Sequence, residues 1–184
     1  MLKKGSNFVP ERQQEEFRVF SICAKIVLFM IQRIRAASLV VDNDKVLLVK
    51  HVHPRTGFTW WVPPGGGVEE WDTSIFDCAR RETFEETNLT VDISKIVYIR
   101  EFLDMESQKL NIEFFVLADT YRGEIGLENI NNNGFDEQYI KEVRWLSKEK
   151  LQGVVVFPEI LKDEFWSDRA MNFPTVKYLG RQAG

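Results

Sequence analysis

Two prolines followed by three glycines, residues 63–67, constrain this chain more than any other segment. Because proline lacks a backbone donor and glycine weakens regular structure, the segment is predicted to be a loop and not the interior of a helix or strand. Helical spacing follows, with Thr73 as the predicted N-cap, and runs to Thr87. Asn88 comes next, and asparagine tolerates the left-handed conformation that ends many helices. The sequence therefore predicts a tight loop that leads into one helix.

The predicted helix carries three glutamates, Glu82, Glu85 and Glu86, within an arc of about 100° on one face, since each residue advances by about 100°. Like charges at these spacings repel, so a surface helix gains nothing from bunching them. Oxygen-rich side chains that converge on one point are typical ligands of Mg²⁺ and other hard divalent cations. Taken alone, however, the cluster would be better explained by an ordinary solvated face.

The neighbouring glycines change this balance. A run of glycines ahead of a helix lets backbone groups approach a ligand closely, so that N–H and C=O groups can contact a phosphate or a metal. Carboxylates that bind metal beside such a loop favour chemistry on a phosphate.

The whole segment resembles the signature of the Nudix hydrolase family, G-x5-E-x7-R-E-U-x-E-E-x-G-U, where U is aliphatic. The helical half reads Arg81-Glu82-Thr83-x-Glu85-Glu86-x-Asn88-Leu89, and residues 61–69 resemble the W-x-x-P-G-G-x-x-E often seen ahead of it. Ala36–Lys50 resembles the first strands of the family, and residues 143–151 resemble its closing strand and helix. The resemblance covers roughly residues 34–152.

Some positions depart from the signature. Counting back from Arg81 puts Thr73 at the first glutamate, whereas counting from the glycines gives Asp72, as though the loop carried one extra residue. Asn88 replaces the last glycine, and Thr83 stands at an aliphatic position. None of these positions belongs to the cluster of three glutamates.

The resemblance implies an enzyme that hydrolyses a nucleoside diphosphate linked to another group. Glu82, Glu85 and Glu86 would hold Mg²⁺ or Mn²⁺, and Arg81 would pair with a helix carboxylate and hold it in place. Bound metal would lower the pKa of an attacking water, and a carboxylate would take the proton. The backbone of the glycine loop, at Gly66 and Gly67, would help to bind metal and substrate.

Two roles in that reaction stay open. The general base would lie on the helix, at Glu85 or Glu86, or on a later loop, where the candidates are Glu137 (with Asp136) and Glu142. Trp61 is the candidate for substrate contact, although Trp60 and Phe58 could also stack on a base. One of the two tryptophans is expected to pack in the core, because adjacent residues of a strand face opposite ways.

The function itself has two candidates. One is the metal-dependent pyrophosphohydrolase, and the other is a catalytically silent Nudix domain that binds a nucleotide as a sensor or scaffold. The intact glutamate cluster favours the enzyme, because a pure binder gains nothing from a repulsive cluster. A small nucleotide is the expected partner, and nucleoside triphosphates, nucleotide sugars and ADP-ribose all remain candidate substrates.

The rest of the chain predicts an α/β (α+β) fold, a mixed β-sheet sandwiched between helices, with an extra N-terminal helix. Ala36–Val41 and Val46–Lys50 are predicted to form a hairpin through residues 42–44, whose polar side chains favour a turn. Later elements are predicted as strands at Ile96–Leu103, Ile112–Ala118 and Glu142–Leu146, the last of these closing the sheet, and as helices that begin at Ser147 and Pro158.

Residues 1–33 are predicted to form a helical extension ahead of a domain at 34–184. Apolar side chains cover nearly every face of the predicted helix at Phe17–Ile31, so it must be buried against the domain or against a second copy in a homodimer. A simpler alternative is that translation starts at Met30 and that residues 1–29 are present only because an earlier start codon was assigned. Deletion of residues 1–29 separates these alternatives, since only a buried helix leaves apolar surface exposed when it is removed.

Charge and hydropathy argue against two classes of partner. Lys and Arg number 24 against 28 Asp and Glu, a net charge of −4, which is a poor basis for binding nucleic acid. Phe17–Ile31 is interrupted by Arg18 and Lys25 and is shorter than the roughly 20 apolar residues of a membrane span. The sequence therefore predicts a cytoplasmic protein that binds neither nucleic acid nor membrane.

The cysteines and histidines suggest no further site. Cys23 and Cys78 belong to no metal-ligand motif, and two histidines make a structural zinc site unfavourable. Free thiols are favoured, although a single disulfide stays open. His51 and His53 are predicted to be surface residues at a strand end, facing the same side.

Overall fold

The structure, a computed structural model, describes residues 31–130 and 137–183. The strands are β1 (Ile31–Leu39), β2 (Val41–Asp42), β3 (Lys45–Val52), β4 (Thr59–Val62), β5 (Gly65–Gly67), β6 (Thr90–Asp104), β7 (Lys109–Arg122), β8 (Ile140–Ser147) and β9 (Lys177–Ala183). The helices are α1 (Ile75–Thr87), α2 (Lys148–Leu151) and α3 (Glu164–Ala170), and single 3₁₀ turns lie at Glu137–Tyr139 and Glu159–Lys162. None of the helices in these two ranges is long and apolar enough to cross a membrane.

The strands form two mixed sheets. The larger has the order β5-β1-β7-β6-β9, in which β1 runs parallel to β7 and β9 runs parallel to β6. In the smaller sheet β3 pairs along most of its length with β8 and at its two ends with β2 and β4. This mixed sheet structure with few helices confirms the predicted fold class. The predicted extra N-terminal helix lies outside the described residues, except that residues 31–33 are strand.

The predicted hairpin is present only in part. Ile31–Leu39 belongs to the larger sheet, and only Val41–Asp42 turns back onto Lys45–Val46. Both edges of β1 are already paired, one with β5 and the other with β7, so β3 cannot pair with it. Alternation of apolar residues revealed the strands but not their partners, because pairing between distant segments leaves no local signal.

Helix α1 matches the predicted helix with a shifted start. Ser74, not Thr73, is the N-cap, and its hydroxyl accepts the N–H of Asp77 at 3.1 Å. Asn88 ends the helix in the left-handed conformation, with φ of 63°, as predicted. Cys78 and Ala79 are fully buried against the larger sheet, and these small side chains allow α1 to lie close to it.

The C-terminal segment completes the core. Leu161 of the second 3₁₀ turn and Phe165 of α3 are fully buried with Leu48 of the smaller sheet and Phe115 of the larger. The predicted strand at Glu142–Leu146 is β8, but it does not close the sheet, because β9 adds a further strand beside β6. The sequence of β9, KYLGRQA, lacks the alternation of apolar residues that would have predicted a strand.

A buried carboxylate ties the C-terminal segment to the sheet. Asp168 of α3 is 3% exposed and accepts the hydroxyl of Tyr98 at 2.8 Å and the ammonium of Lys177 at 2.6 Å. Burial, together with the carboxylate of Asp168, raises the pKa of Tyr98, so its hydroxyl stays protonated and donates. One carboxylate therefore joins β6, α3 and the start of β9.

Substitution of Tyr98 by phenylalanine tests this link. Tyr98→Phe is expected to lower the free energy of unfolding by about 2 kcal/mol, since it removes a buried hydrogen bond to a charged group. Tyr178→Phe is the matched control: its hydroxyl donates to Glu101 at 2.9 Å, but the side chain is 61% exposed, and a loss under about 0.5 kcal/mol is expected. Urea unfolding measures both, and equal losses would contradict the assignment.

Candidate active site

The glycine segment forms a strand, contrary to the prediction that it would be a loop. Gly65–Gly67 is β5, and it pairs antiparallel with β1 in the register Arg35↔Gly67 and Ala37↔Gly65. A Cβ atom on Gly65 would lie 2.4 Å from both the carbonyl oxygen of Ala36 and the Cα of Ala37. The glycines are therefore needed for close packing of backbone on backbone at the edge of the sheet.

The next two glycines contact groups of opposite charge. A Cβ atom on Gly66 would lie 2.3 Å from Oε1 of Glu82, so the carboxylate occupies the space that a side chain would fill. A Cβ atom on Gly67 would lie 2.6 Å from Nε of Arg33. Because successive residues of a strand face opposite sides, β5 meets an α1 carboxylate on one face and a β1 guanidinium on the other.

Arg81 is the centre of the hydrogen-bond network on α1. Its guanidinium donates to Oε1 of Glu82 at 2.8 Å, to Oε2 of Glu85 at 3.0 Å and to the carbonyl of Gly67 at 3.1 Å. It also forms a bidentate pair with Asp72, at 3.0 and 2.8 Å. Arg81 therefore pairs with helix carboxylates as the family resemblance implied, and it also fixes α1 to β5.

Asp72, and not the neighbouring Thr73, is the residue that anchors Arg81. The Asp72 side chain is only 3% exposed and also accepts the N–H of Glu69 at 2.8 Å. Hydrogen bonding to Arg81 lowers the pKa of Asp72 despite its burial. Thr73 instead donates its hydroxyl to Asp77. When the family signature is counted from the glycines, its first glutamate falls on Asp72, and this is the acid that contacts Arg81.

The three glutamates lie in different environments. Glu86 is 2% exposed and accepts the N–H of Gly65 at 2.8 Å. Burial raises the pKa of Glu82, and Arg81 offsets part of that increase. The Glu85 side chain is about one-third exposed. Two of the three carboxylates are therefore held against the glycine strand, and the third faces outwards.

The carboxylates of this site are the type of ligand that hard divalent cations prefer. Asp72, Glu82 and Glu85 pair with the single guanidinium of Arg81, and Glu86 adds a fourth carboxylate at the glycine strand, so negative charge is in excess beside a backbone that no side chain covers. Within residues 31–130 and 137–183, no three acidic, histidine or cysteine side chains are already gathered as a metal cluster. A cation bound by Glu82 or Glu85 would have to compete with Arg81 for their oxygens.

Cys78 supports the site as a neutral thiol. It is fully buried, and its Sγ lies 3.3 Å from the carbonyl of Gly67. Burial raises the pKa of the thiol to about 12, and the nearby charges of Glu82 and Asp72 add to the increase. The thiol therefore stays protonated and packs α1 against β5. Cys78 is free, as expected, and Cys23 lies outside the described residues.

A cavity of about 700 Å³ lies on the other side of β5. Its polar wall comes from the larger sheet, with charged and amide side chains at alternate positions of three strands: Arg33 and Arg35 on β1, Asn111 and Glu113 on β7, and Arg100 on β6. Gln182 and Ala183 of β9 also line it.

Buried charges in this wall are matched. Glu113 accepts Nε of Arg100 at 2.6 Å and lies 3.7 Å from Arg35. Arg100 is 5% exposed and also donates to Oε1 of Gln182 at 3.1 Å. Arg35 in turn donates to the carbonyl of Gly65 at 2.9 Å. Two guanidinium groups thus share one carboxylate, which leaves the row with a net positive charge beside the glycine strand.

The opposite wall is aromatic. Trp60 stacks with Phe58, with ring centroids 5.6 Å apart, and lies 6.3 Å from Tyr139. His51 packs on Trp60 at 5.2 Å and is only 6% exposed, so the prediction that both histidines are surface residues is wrong for His51. The expectation that both face the same side holds, because His53 also lines the cavity.

The two tryptophans face opposite sides of β4, as expected for adjacent residues of a strand. Trp61 is 6% exposed and packs in the main core, whereas Trp60 lines the cavity. Trp61 was the candidate for substrate contact, and on this geometry Trp60 is better placed for that role. Phe102 of β6 also lines the cavity.

Of the loop candidates for a general base, Glu142 lies outside the network around Arg81. Glu142 is on β8, where its carboxylate lies 3.8 Å from Nζ of Lys50 and also pairs with Arg144. Glu137 begins the 3₁₀ turn that leads to Tyr139, and Asp136 lies outside the described residues.

Sequence reasoning missed the polar wall of the cavity. Polar residues at every second position of β1 and β7 are the signal that could have revealed it, since a strand that alternates polar and apolar residues presents the polar ones on one face. The local sequence could not predict that these side chains face the cavity, because charged residues usually face water.

Comparisons with known proteins agree with this geometry. A family model described as the NUDIX domain matches residues 32–168. The chain belongs to the Nudix family. The resemblance drawn from its sequence is thereby confirmed, and β9 lies beyond the matched residues of this Nudix domain.

Individual relatives are similar over part or most of the domain. An uncharacterised Nudix hydrolase of Bacillus subtilis (strain 168), YvcI, is 34% identical over 97 residues, which are 51% of this chain and 58% of that protein. The chain thus spans less than two thirds of the length of that curated relative.

Solved structures share the fold. The ORF135 protein of E. coli is 18% identical with a TM-score of 0.60, over 79% of this chain and 96% of that one. The MutT protein from Bacillus halodurans is 24% identical with a TM-score of 0.56, over 82% of this chain and 89% of that one. At these identities the likeness concerns the fold.

Alanine substitutions in the glycine strand separate its two roles. Gly65→Ala is expected to cost about 2–3 kcal/mol of unfolding free energy, because its Cβ would meet rigid backbone. Gly66→Ala would meet the end of a flexible side chain, so a loss below about 1 kcal/mol is expected, together with weaker Mn²⁺ binding as Glu82 is displaced. Urea unfolding and calorimetric Mn²⁺ titration measure these effects.

Gly153→Ala is the matched control for both variants. Its Cβ would lie 3.8 Å from the carbonyl of Lys150, an ordinary contact, so stability and Mn²⁺ affinity should match the unsubstituted protein. Equal stability losses at Gly65 and Gly66, or unchanged Mn²⁺ binding in Gly66→Ala, would contradict the arrangement described for β5.

Proposed function

We propose that this Nudix domain is a divalent-metal-dependent hydrolase that cleaves a phosphoanhydride bond in a nucleoside diphosphate linked to another group. The observation that carries the proposal is the position of β5. On the α1 side, the Gly66 position faces Glu82 and the Gly65 N–H donates to Glu86. On the cavity side, the Gly65 carbonyl accepts from Arg35 and the Gly67 position faces Arg33. An acidic cluster suited to a cation and a cavity wall with arginines and aromatic side chains thus share one narrow strand.

The cavity supports a nucleotide as the bound part of the substrate. About 700 Å³ is in the range of small-ligand sites, and the aromatic wall around Trp60 suits a planar base. Arg33 and Arg35 lie between this cavity and the glycine strand, where guanidinium groups can pair with phosphate oxygens. A diphosphate that runs from the cavity towards α1 would therefore meet cationic groups first and carboxylates next.

The carboxylates of α1 would hold the metal. Glu82, Glu85 and Glu86 supply the oxygen ligands that Mg²⁺ or Mn²⁺ prefers, and the backbone of Gly66 and Gly67 lies beside them. Bound metal supplies neutralisation of charge on the diphosphate and a lower pKa for the attacking water. Arg81 orients two of these carboxylates through its hydrogen bonds, and Asp72 holds Arg81 in turn.

Proton removal from the water needs a carboxylate that is not saturated by metal. The candidates remain Glu85 or Glu86 on the helix and Glu137 or Glu142 on the later segment. Glu142 pairs with Lys50 and Arg144. Separate Glu137→Gln and Glu142→Gln variants would identify the base by their loss of kcat with KM retained.

The activity is tested directly by a substrate panel. We would incubate the purified protein with Mg²⁺ or Mn²⁺ and with nucleoside triphosphates, nucleotide sugars or ADP-ribose, and measure released nucleoside monophosphate, phosphate and pyrophosphate. Metal-dependent turnover of one class supports the proposal. Nucleotide binding without any turnover would instead favour the catalytically silent sensor.

Glu86→Gln tests the acidic cluster within that assay. Turnover is expected to fall about 100-fold or more, since a neutral amide holds a cation poorly. Folding should be retained, because the amide oxygen can still accept the N–H of Gly65. Glu149→Gln, on α2 and outside the site, is the matched control and should keep full activity. A fully active, folded Glu86→Gln protein would refute the assignment.

A further inference from the structure

One buried acceptor in the cavity wall has no partner. Asn111 is 5% exposed, and among residues 31–130 and 137–183 nothing donates a hydrogen bond to its Oδ1. Buried side-chain carbonyl groups are nearly always paired with protein or water, so an unpaired one in a cavity wall indicates the place of a ligand donor. Asn111 lines the cavity from the middle of the larger sheet, between Arg33 of β1 and Phe102 of β6.

The orientation of the Asn111 amide follows from its other end. Nδ2 donates to the backbone carbonyl of Phe102 at 3.4 Å. The flipped amide would place two carbonyl oxygens together and lose that bond, so the NH₂ group belongs beside Phe102 and the oxygen is the free acceptor. Asn111 therefore presents a neutral oxygen, and a phosphate oxygen, which is itself an acceptor, cannot bind there.

Of the four acidic side chains that line the cavity, three are engaged within the protein, and Glu159 is the fourth. Glu113 accepts from Arg100, Asp104 accepts the hydroxyl of Ser107, and Glu106 pairs with Arg55. Asn111 thus differs from them in being both neutral and unpaired. A neutral oxygen buried in a cavity with an aromatic wall suits an equally neutral N–H donor on a planar ligand.

We propose that Asn111 determines the base specificity of this site by accepting a hydrogen bond from an amino group of the nucleobase. The inference rests on the proposed function, because it takes the cavity as the nucleotide site. Amino-bearing bases are adenine, cytosine and guanine, whereas hypoxanthine and uracil carry an oxo group where adenine and cytosine carry the amine. An oxo group facing Oδ1 would bring two acceptors together. The substrate is therefore a derivative of an amino-bearing nucleoside diphosphate.

Equilibrium binding tests this without turnover. Calorimetric titration of the full chain in EDTA would compare ADP with IDP, CDP with UDP, and GDP with IDP. The amino member of at least one pair is expected to bind about tenfold tighter or better, since a site built to accept an N–H rejects the analogue that lacks it. Asn111→Leu should reduce that ratio to about twofold or less, by removing the acceptor at similar volume.

Further variants keep the test decisive. Asn111→Ala is the second variant if the leucine protein does not fold, which thermal unfolding would show. Asn129→Ala removes a half-buried amide that donates to the carbonyl of Phe84 and to Oδ1 of Asn88, outside the cavity, and should keep the wild-type ratio. Comparison of ADP with dADP separates recognition of the amine from recognition of the ribose hydroxyl.

Each outcome decides the inference. Loss of the amino preference in the Asn111 variants, with the ADP to dADP ratio unchanged, supports it. Equal binding within all three pairs, absence of nucleotide binding, or a preference that survives in the variants overturns it, as does a change confined to the dADP comparison. An amino preference in a protein without metal-dependent turnover would refute the hydrolase and leave base recognition by Asn111 intact.

Discussion

The site depends on the close approach of helix α1 to strand β5. Gly66 has no side chain, so the Glu82 carboxylate occupies that space, and Glu86 accepts the N–H of the adjacent Gly65. The small buried side chains of Cys78 and Ala79 let α1 lie this close to the larger sheet. Any larger residue along this contact would separate the carboxylates from the backbone that they face. Packing therefore determines where the charges lie.

Electrostatics then divides the site into two halves. On the α1 side, three carboxylates surround Arg81, and its bidentate pair with Asp72 keeps the guanidinium between them. On the cavity side, Arg35 and Arg100 share the carboxylate of Glu113. Burial makes each of these charges costly unless it is paired, so both halves are built as networks. Excess negative charge on the α1 side of β5 suits a cation, and the arginines beside β5 on the cavity side suit a phosphate chain.

Local elements could be predicted, and pairings could not. The α1 helix, its left-handed end at Asn88 and the shared face of its glutamates follow from spacing and backbone preference within about one or two turns. The hairpin prediction failed because β1 pairs with β7, about 75 residues further along the chain, and with β5. The glycine segment was predicted as a loop because proline and glycine disfavour strands. In the fold, however, it forms β5 by pairing with β1.

The sequence by itself determined the family, the acidic face of α1 and the glycines beside it, since each is a pattern of neighbouring residues. Only the tertiary structure decided that Asp72 anchors Arg81, that Trp60 and not Trp61 lines the cavity, and that Asn111 faces it unpaired. Those facts depend on which strand lies beside which. Side-chain direction alternates along each strand, but only the assembled sheets decide which side is core and which is cavity.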